Sequence, residues 1–492
     1  MNVRALQNNA KELFTGNFGK ALIVILAGIV LGYIISLMKV AGAGLPMGLA
    51  FLIVFSIVYI YNPKFGIYTV VFMGFATSAL GRYFPFAPYG LSVDILLIAT
   101  FLIVFFKRWK GFTLKDAKND LSLVWTIWMV YIVLMIGNPL ARSLEAWFYA
   151  MRGIALYSFL MIPLAFMIFN DKKDFERVFA MIFIFEIIGT LWAMKQMYIG
   201  VSLTEQRWLD AGAGSTHVLF GQLRAFSYFS DAAQFGASQA HIAFLSGVFA
   251  VGEPKIKKRI FYAVTCLLSL YGMIISGSRG PLVIPAIGGI VWLFLSKRHA
   301  LFFSGLFVGL LIFGFLKFTT IAQSNYFVAR MRTALNPTED PSFIVRLERE
   351  KQLSGYLADK PIGGGVGSAG FWGKRFSPGT FLAEIGTDGH YTRIWMETGK
   401  IGLYLYLGIF FWIGFRVIRI SYNLKDVEMR LKIGGLAASF VGLAVASYTN
   451  GLIVQIPTGP IVYLSLVFVY LSPKWEKEIL AEKAQITPSS LK

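Results

Sequence analysis

The chain has 492 residues, 56% of them hydrophobic and only 15% charged, with 46 Lys and Arg against 26 Asp and Glu and a mean hydropathy of +0.64. Soluble domains carry about a quarter charged residues, so this composition excludes an ordinary soluble or disordered chain and points to a multi-pass membrane protein. The net charge of +20 does not call for nucleic acid, because Lys and Arg in a membrane protein first serve topology and anionic lipid; the single cysteine, Cys266, excludes an intrachain disulfide framework and a Cys-based zinc site.

At the N-terminus, "MNVRALQNNAKELFTGNFGK" leads into an apolar run from Ala21. A weak signal-peptide cleavage site lies near 40–44, "VAGAG", but a retained first helix fits the loop charges better. A membrane-spanning helix needs roughly 20 apolar residues. Fourteen such runs follow, near 20–39, 43–61, 66–81, 90–106, 120–137, 152–169, 175–198, 231–251, 260–278, 281–296, 300–318, 397–416, 432–453 and 457–472. The expected fold is an all-α polytopic membrane protein of about 12–14 transmembrane helices, with a mostly helical outer loop domain late in the chain.

Loop charge sets the orientation. With the N-terminus in the cytoplasm, the inner loops are "KRWKGFTLKDAK" (107–118), "DKKDFER" (171–177), "EPKIKKR" (253–259), "SKRH" (296–299) and "RVIRISYNLKDVEMRLK" (416–432). All are dense in Lys and Arg. An even number of spans returns the tail, "KWEKEILAEK", to the same side. The division is a transmembrane bundle over 1–318 with outer loops at 138–151 and 199–230, a large outer loop domain at 319–396, C-terminal spans at 397–473 and a cytoplasmic tail at 474–492.

Loop 138–151 reads as a short amphipathic helix on the membrane surface. In the loop domain, Asp340 caps a helix that starts at Pro341 and buries Phe343, Leu347, Leu353 and Leu357. It ends before Pro361 and the glycine run "PIGGGVGSAG" (361–370). That run lacks the Gly-Lys-Ser/Thr ending of a P-loop. It is either a loop whose amides approach a phosphate or sugar, or a plain turn.

Several arginines run against the topology. Arg279 sits at the tip of a tight turn in "IISGSRGPL", Arg224 precedes a span, Arg152 opens one, and Arg346 lies on the outer helix. Arginine offers a planar donor fork that matches phosphate in bidentate fashion. An arginine at a helix end also serves as an interfacial anchor, but the Gly-Pro turn gives Arg279 no such reason. His390 falls in a polar outer loop about one turn before the next span, where an imidazole can accept a hydroxyl proton or bond a phosphate. His241, inside an apolar span, reads as a core residue. The outer carboxylates Glu339, Asp340, Asp359, Glu384 and Asp388 are scattered, so no metal and no cofactor is expected. Arg224, Arg279 and His390 are expected to line one hollow.

In series these motifs resemble the O-antigen ligase and polymerase superfamily of bacterial membrane glycosyltransferases. Arg224 precedes a mid-chain span; Ser276-Gly277-Ser278-Arg279-Gly280 follows; then come Arg346, Lys360-Pro361 with the glycine run, His390 and "ETGKIG" from Glu397. Tyr391 stands where the family usually has Asn. The resemblance implies a site on the periplasmic face of the bacterial inner membrane, without a metal. There a glycan leaves undecaprenyl diphosphate for an acceptor hydroxyl, on a lipid A core for a ligase or on another repeat unit for a polymerase. It further implies that Arg224 and Arg279, with Arg346 and Arg152 as weaker members, hold the donor diphosphate, and that His390 acts as base or phosphate contact. Ligase is preferred narrowly over polymerase. A transporter of lipid-linked sugars is the less favoured alternative, for which Glu186 and Lys195 are the main ionisable residues within a span.

Overall fold

The computed structural model describes residues 48–107, 112–333, 335, 341–386 and 389–486. The expected first span at 20–39, Glu339, the Asp340 cap and Asp388 lie outside them. The described residues up to 65 belong to one compact unit and those from 66 onward to a second.

The first unit shows one apolar helix, α1 (Gly48–Tyr61). In the second, helices follow each expected run: α2 (Pro63–Tyr83, beginning in the first unit), α3 (Gly90–Phe106), α4 (Asp120–Gly137), α5 (Leu144–Ile168), α6 (Lys172–Tyr198) and the short α7 (Leu203–Trp208). Then come α8 (Ala232–Gly252), α9 (Ile256–Ile275), α10 (Gly280–Ser296), α11 (His299–Phe318) and α12 (Tyr326–Thr333). The rest are α13 (Pro341–Tyr356), α14 (Gly370–Phe376), α15 (His390–Asn423), α16 (Val427–Ala446) and α17 (Thr458–Ile486). Among the described residues nine helices are long and apolar enough to cross a membrane, with α1, α3 and α10 as shorter apolar ones. One two-residue hairpin, Val218–Leu219 with Gln222–Leu223, is antiparallel.

Some helix crossings in the core of the second unit are built on small residues, among large buried side chains such as Trp125, Trp128 and Trp475. Without a hydrophobic drive between helices in lipid, close backbone approach supplies the packing. On α8, Gly236, Ala237, Ser238, Ala240 and Ala243 are buried, and the helix lies against α9 and α16. Between α10 and α16, a Cβ on Gly442 would stand 2.5 Å from the Ile284 carbonyl oxygen, so only glycine permits that crossing. On α17 every residue from 461 to 469 is buried. By contrast α11 buries none of its residues.

Two sequence expectations change here. The segment 138–151 does not carry a separate surface helix. From Leu144 it runs on into the span as α5, through a π turn at Arg152–Leu156. Arg152 therefore lies inside a helix, not at its opening. On α13, Leu353 and Leu357 are buried as expected, but Leu347 is 47% exposed. The residues of Phe343's side chain lie outside the described positions.

Hydrogen bonds and close approaches gather the connections around residues 82–90, 138–143, 199–231, 276–280, 361–390 and 447–456 at one end of the second unit. That end carries the arginines.

Candidate functional site

The turn "SGSRG" is a helix stop of a particular shape. Gly277 ends α9 in the left-handed region, with φ 59. That conformation costs an L-residue roughly 1–2 kcal/mol. Ser276 closes the turn by donating its hydroxyl to the Met273 carbonyl (2.7 Å) and accepting the Ser278 amide (3.2 Å). Gly236 on α8 leaves the space, since a Cβ there would overlap the Ser276 hydroxyl. A Cβ on Gly277 would meet Arg224 Cγ at 3.3 Å. Gly277→Ala is therefore expected to strain the turn and displace Arg224. We expect it to lower turnover more than the midpoint of thermal unfolding, and parallel kinetic and melting measurements check this.

Three guanidinium groups collect on this turn. Arg224 donates from Nε to the Ser276 carbonyl (3.2 Å), from Nη1 to the Thr216 carbonyl (2.8 Å) and from Nη2 to the Ser278 hydroxyl (2.8 Å). Arg330, on α12, donates to the Gly277 carbonyl (2.8 Å). Arg279 donates to the Thr333 hydroxyl (3.0 Å). Burial, and then the like charges of Arg330 and Arg279, hold the Arg224 guanidinium below its usual range. Gathering like charge is costly unless an anion joins it. Arg330 was not singled out in the sequence, because "VARMRTALN" carries no motif.

The loop that presents Arg224 is held from below. Glu205 caps α7 through the Ser202 amide (2.7 Å) and accepts from Trp192 Nε1 (2.9 Å) and Gln196 Nε2 (2.7 Å) on α6. Burial alone would raise its carboxyl, but these donors, with Lys195, hold it down to about 2. A carboxylate lowered in the folded state stabilises above its unfolded value, near 4.5, and loses that contribution as pH falls toward about 2. The thermal advantage of wild type over Glu205→Gln should thus be full above pH 4.5 and fade between there and pH 2. Arg82 adds a second tie. It donates to the Ser227 and Phe229 carbonyls (3.0 and 2.6 Å) and lies 4.4 Å from the Trp208 ring centroid.

Beside the turn opens a cavity of about 610 Å³, lined by Arg152, His390, Arg393, Asp231 and Gln455, with Tyr149, Phe371 and Trp372 among its aromatic residues. His390 is not in a polar loop. It is the first residue of α15 and only 1% exposed. Its Nε2 lies 2.8 Å from the Tyr406 hydroxyl, and among the described residues Nδ1 has no hydrogen-bond partner. Its backbone N–H donates to the Ser447 carbonyl (3.0 Å). Arg393 pairs with buried Glu397 (2.9 Å), one helical turn on. Arg152 pairs with buried Asp94 (2.6 Å) and donates to the Gly90 carbonyl (2.9 Å).

The expected single hollow for Arg224, Arg279 and His390 does not form as such. His390 and Arg152 line the cavity, and Arg224 and Arg279 do not. The two groups are neighbours across shared segments. Ser278 donates to the Ala232 carbonyl (3.1 Å), next to cavity-lining Asp231, and Gly280 packs on Thr449 and Asn450, next to cavity-lining Gly451. Arg346 lies elsewhere again, in electrostatic range of Tyr448, whose hydroxyl meets Glu350 (3.3 Å). His241 is a buried core residue as expected, with Nε2 3.3 Å from the Ser439 hydroxyl.

The glycine run holds a helix break. Gly399 interrupts α15 with φ 68 and ψ −170. The amides of Gly364 and Gly365 donate to the freed carbonyls of Met396 (2.8 Å) and Glu397 (3.1 Å), and the Ile401 amide donates to the Pro361 carbonyl (3.2 Å). Gly363 through Gly367 are buried. The Gly364 and Gly365 amides are thus spent on the protein itself. Among the described residues no three His, Cys, Asp or Glu side chains converge as a metal site would require.

No curated protein matches the chain. The family model described as O-antigen ligase matches residues 264–407. That stretch runs from within α9 to within α15. It includes Arg279, Arg330, Phe371 and His390, whereas Arg152 and Arg224 precede it. Members act in general as membrane glycosyltransferase-type enzymes on lipid-linked glycans. Over residues 264–407, the chain is similar to the O-antigen ligase family.

Proposed function

We propose that the protein is a ligase-type glycosyltransferase of the bacterial inner membrane. In this reading it moves a glycan from undecaprenyl diphosphate to an acceptor hydroxyl, on a lipid A core or similar glycolipid, at the periplasmic face, with both termini in the cytoplasm. The observation that carries it is the gathering of Arg224, Arg279 and Arg330 on one turn, beside a cavity that holds His390. Guanidinium groups bind the diphosphate and take up the charge that grows on it as the bond from the anomeric carbon to the phosphate oxygen breaks. The acceptor oxygen forms the new bond to that carbon. Its proton passes to His390 Nδ1, in the tautomer that donates Nε2–H to Tyr406. The products are the glycosylated acceptor and undecaprenyl diphosphate. A diphosphate is already a good leaving group, so this scheme needs no metal.

The test is reconstitution. Purified protein receives a lipid-linked oligosaccharide with either a lipid A core acceptor or a second lipid-linked repeat unit, without nucleotide and with a chelator. Core-linked product from wild type, lost in Arg279→Ala and His390→Ala, is expected. Wild-type turnover in both variants refutes the site. Chain-extended repeat units alone make it a polymerase. Lipid-linked sugar that crosses the bilayer with no new glycosidic bond makes it a transporter.

A further inference from the structure

We infer that the aromatic wall of the 610 Å³ cavity, Tyr149, Phe371 and Trp372, is a stacking platform for a pyranose ring of the acceptor glycan. This rests on the transferase reading and assigns the acceptor its place. Tyr149, on α5, stacks on Trp372, on α14, with ring centroids 4.7 Å apart and planes 19° from parallel. It also stacks on Phe376 at 5.7 Å and 12°. The three rings brace one another into a fixed slab. Phe371 stands against that slab, 4.8 Å from Trp372 and turned by 78°, and keeps 67% of its surface exposed.

The chemistry of the lining selects the ligand class. An acyl chain is best held by an apolar surface on all sides. A diphosphate is best held by clustered cations, which is what the neighbouring arginine turn offers. The lining of this cavity combines Tyr149, Phe371 and Trp372 with Asp231, Gln455 and the ion-paired Arg152 and Arg393, and the Arg152 guanidinium lies 5.6 Å over the Tyr149 ring. A sugar ring presents the same two kinds of surface. Its axial C–H groups form an apolar face that rests on a π surface, while its hydroxyls at the edge need donors and acceptors. Because Arg152 and Arg393 are already neutralised by Asp94 and Glu397, they offer directional N–H groups with little net charge, which suits hydroxyl oxygens better than phosphate. His390 is among the residues that line the same cavity.

Phe371→Ala tests this without threatening the fold, since the side chain is mostly exposed; Phe371→Tyr keeps the ring. Full-length protein in nanodiscs is assayed in two ways. Saturation-transfer NMR uses deacylated lipopolysaccharide core oligosaccharide as probe, and steady-state transfer varies donor and acceptor separately. The expected result is ring C–H saturation in wild type and Phe371→Tyr that Phe371→Ala loses. Acceptor KM should rise about five- to tenfold in Phe371→Ala, with donor KM unchanged. An active enzyme whose acceptor KM is untouched in Phe371→Ala overturns the platform and leaves the transferase reading standing. Oligosaccharide saturation that depends on Phe371, in a protein that transfers nothing, upholds the platform and overturns the transferase reading. Displacement of the oligosaccharide by an alkyl chain of matching length, or no saturation at all, also overturns the platform.

Discussion

Arg279→Ala is expected to lower turnover by about 10²–10³-fold, the range seen when one donor to a developing negative charge is removed. The loss should fall on kcat and kcat/KM together, because the charge on the diphosphate grows only as the glycosidic bond breaks. Arg279→Lys should recover only part of it, since a point charge lacks the planar fork. Single-turnover transfer from a lipid-linked oligosaccharide measures both. Equal kcat in wild type and Arg279→Ala would remove this residue from the reaction. Thermal midpoints should move far less than turnover, because Arg279 is partly exposed.

The pair Asp94–Arg152 should show the opposite profile. Both side chains are buried, at 2.6 Å, between α3 and α5. Removing one partner strands a charge and costs about 3–5 kcal/mol, whereas replacing both with neutral groups is often close to harmless. Asp94→Asn alone should sharply lower folded yield and thermal midpoint. Asp94→Asn with Arg152→Gln should recover much of both. Activity of that double variant then decides Arg152. Recovery of transfer along with stability makes the arginine a structural partner of Asp94. A folded but inactive double variant restores it to substrate binding, as the sequence suggests.

Membrane helices were legible because each is a long apolar run, and lipid leaves the backbone few alternatives to a helix. The join of 144–151 to the sixth span was not. Arg152 looks like a boundary until Asp94, 58 positions earlier, is seen beside it (152 − 94). Arg224 and Arg279 stood out in the sequence as charges against the expected topology. Arg330 was not, because its role depends on the fold of α12 back onto the Gly277 carbonyl. The burial of His390 was also hidden. "TDGHYTR" is polar as a string, and it is the Tyr406 hydroxyl, from further along α15, that meets the ring, while the Ser447 carbonyl at the end of α16 takes the His390 backbone N–H. Aromatic stacking between α5 and α14 had no sequence signal, since more than two hundred positions separate Tyr149 from Trp372 (372 − 149 = 223).

The interruption of α15 at Gly399 couples two parts of the molecule mechanically. Above it, about two and a half turns of helix carry His390 and Arg393; below it, the rod continues to Asn423. The severed carbonyls are stitched to residues 361–365, and Asn138 fastens that stitch to the end of α4 by donating to the Ile362 carbonyl (3.0 Å). The upper piece is therefore tied to residues 361–365 as well as to its own rod. A displacement of that glycine segment would reach His390 through the Met396 and Glu397 carbonyls, so the loop and the imidazole share one mechanical linkage.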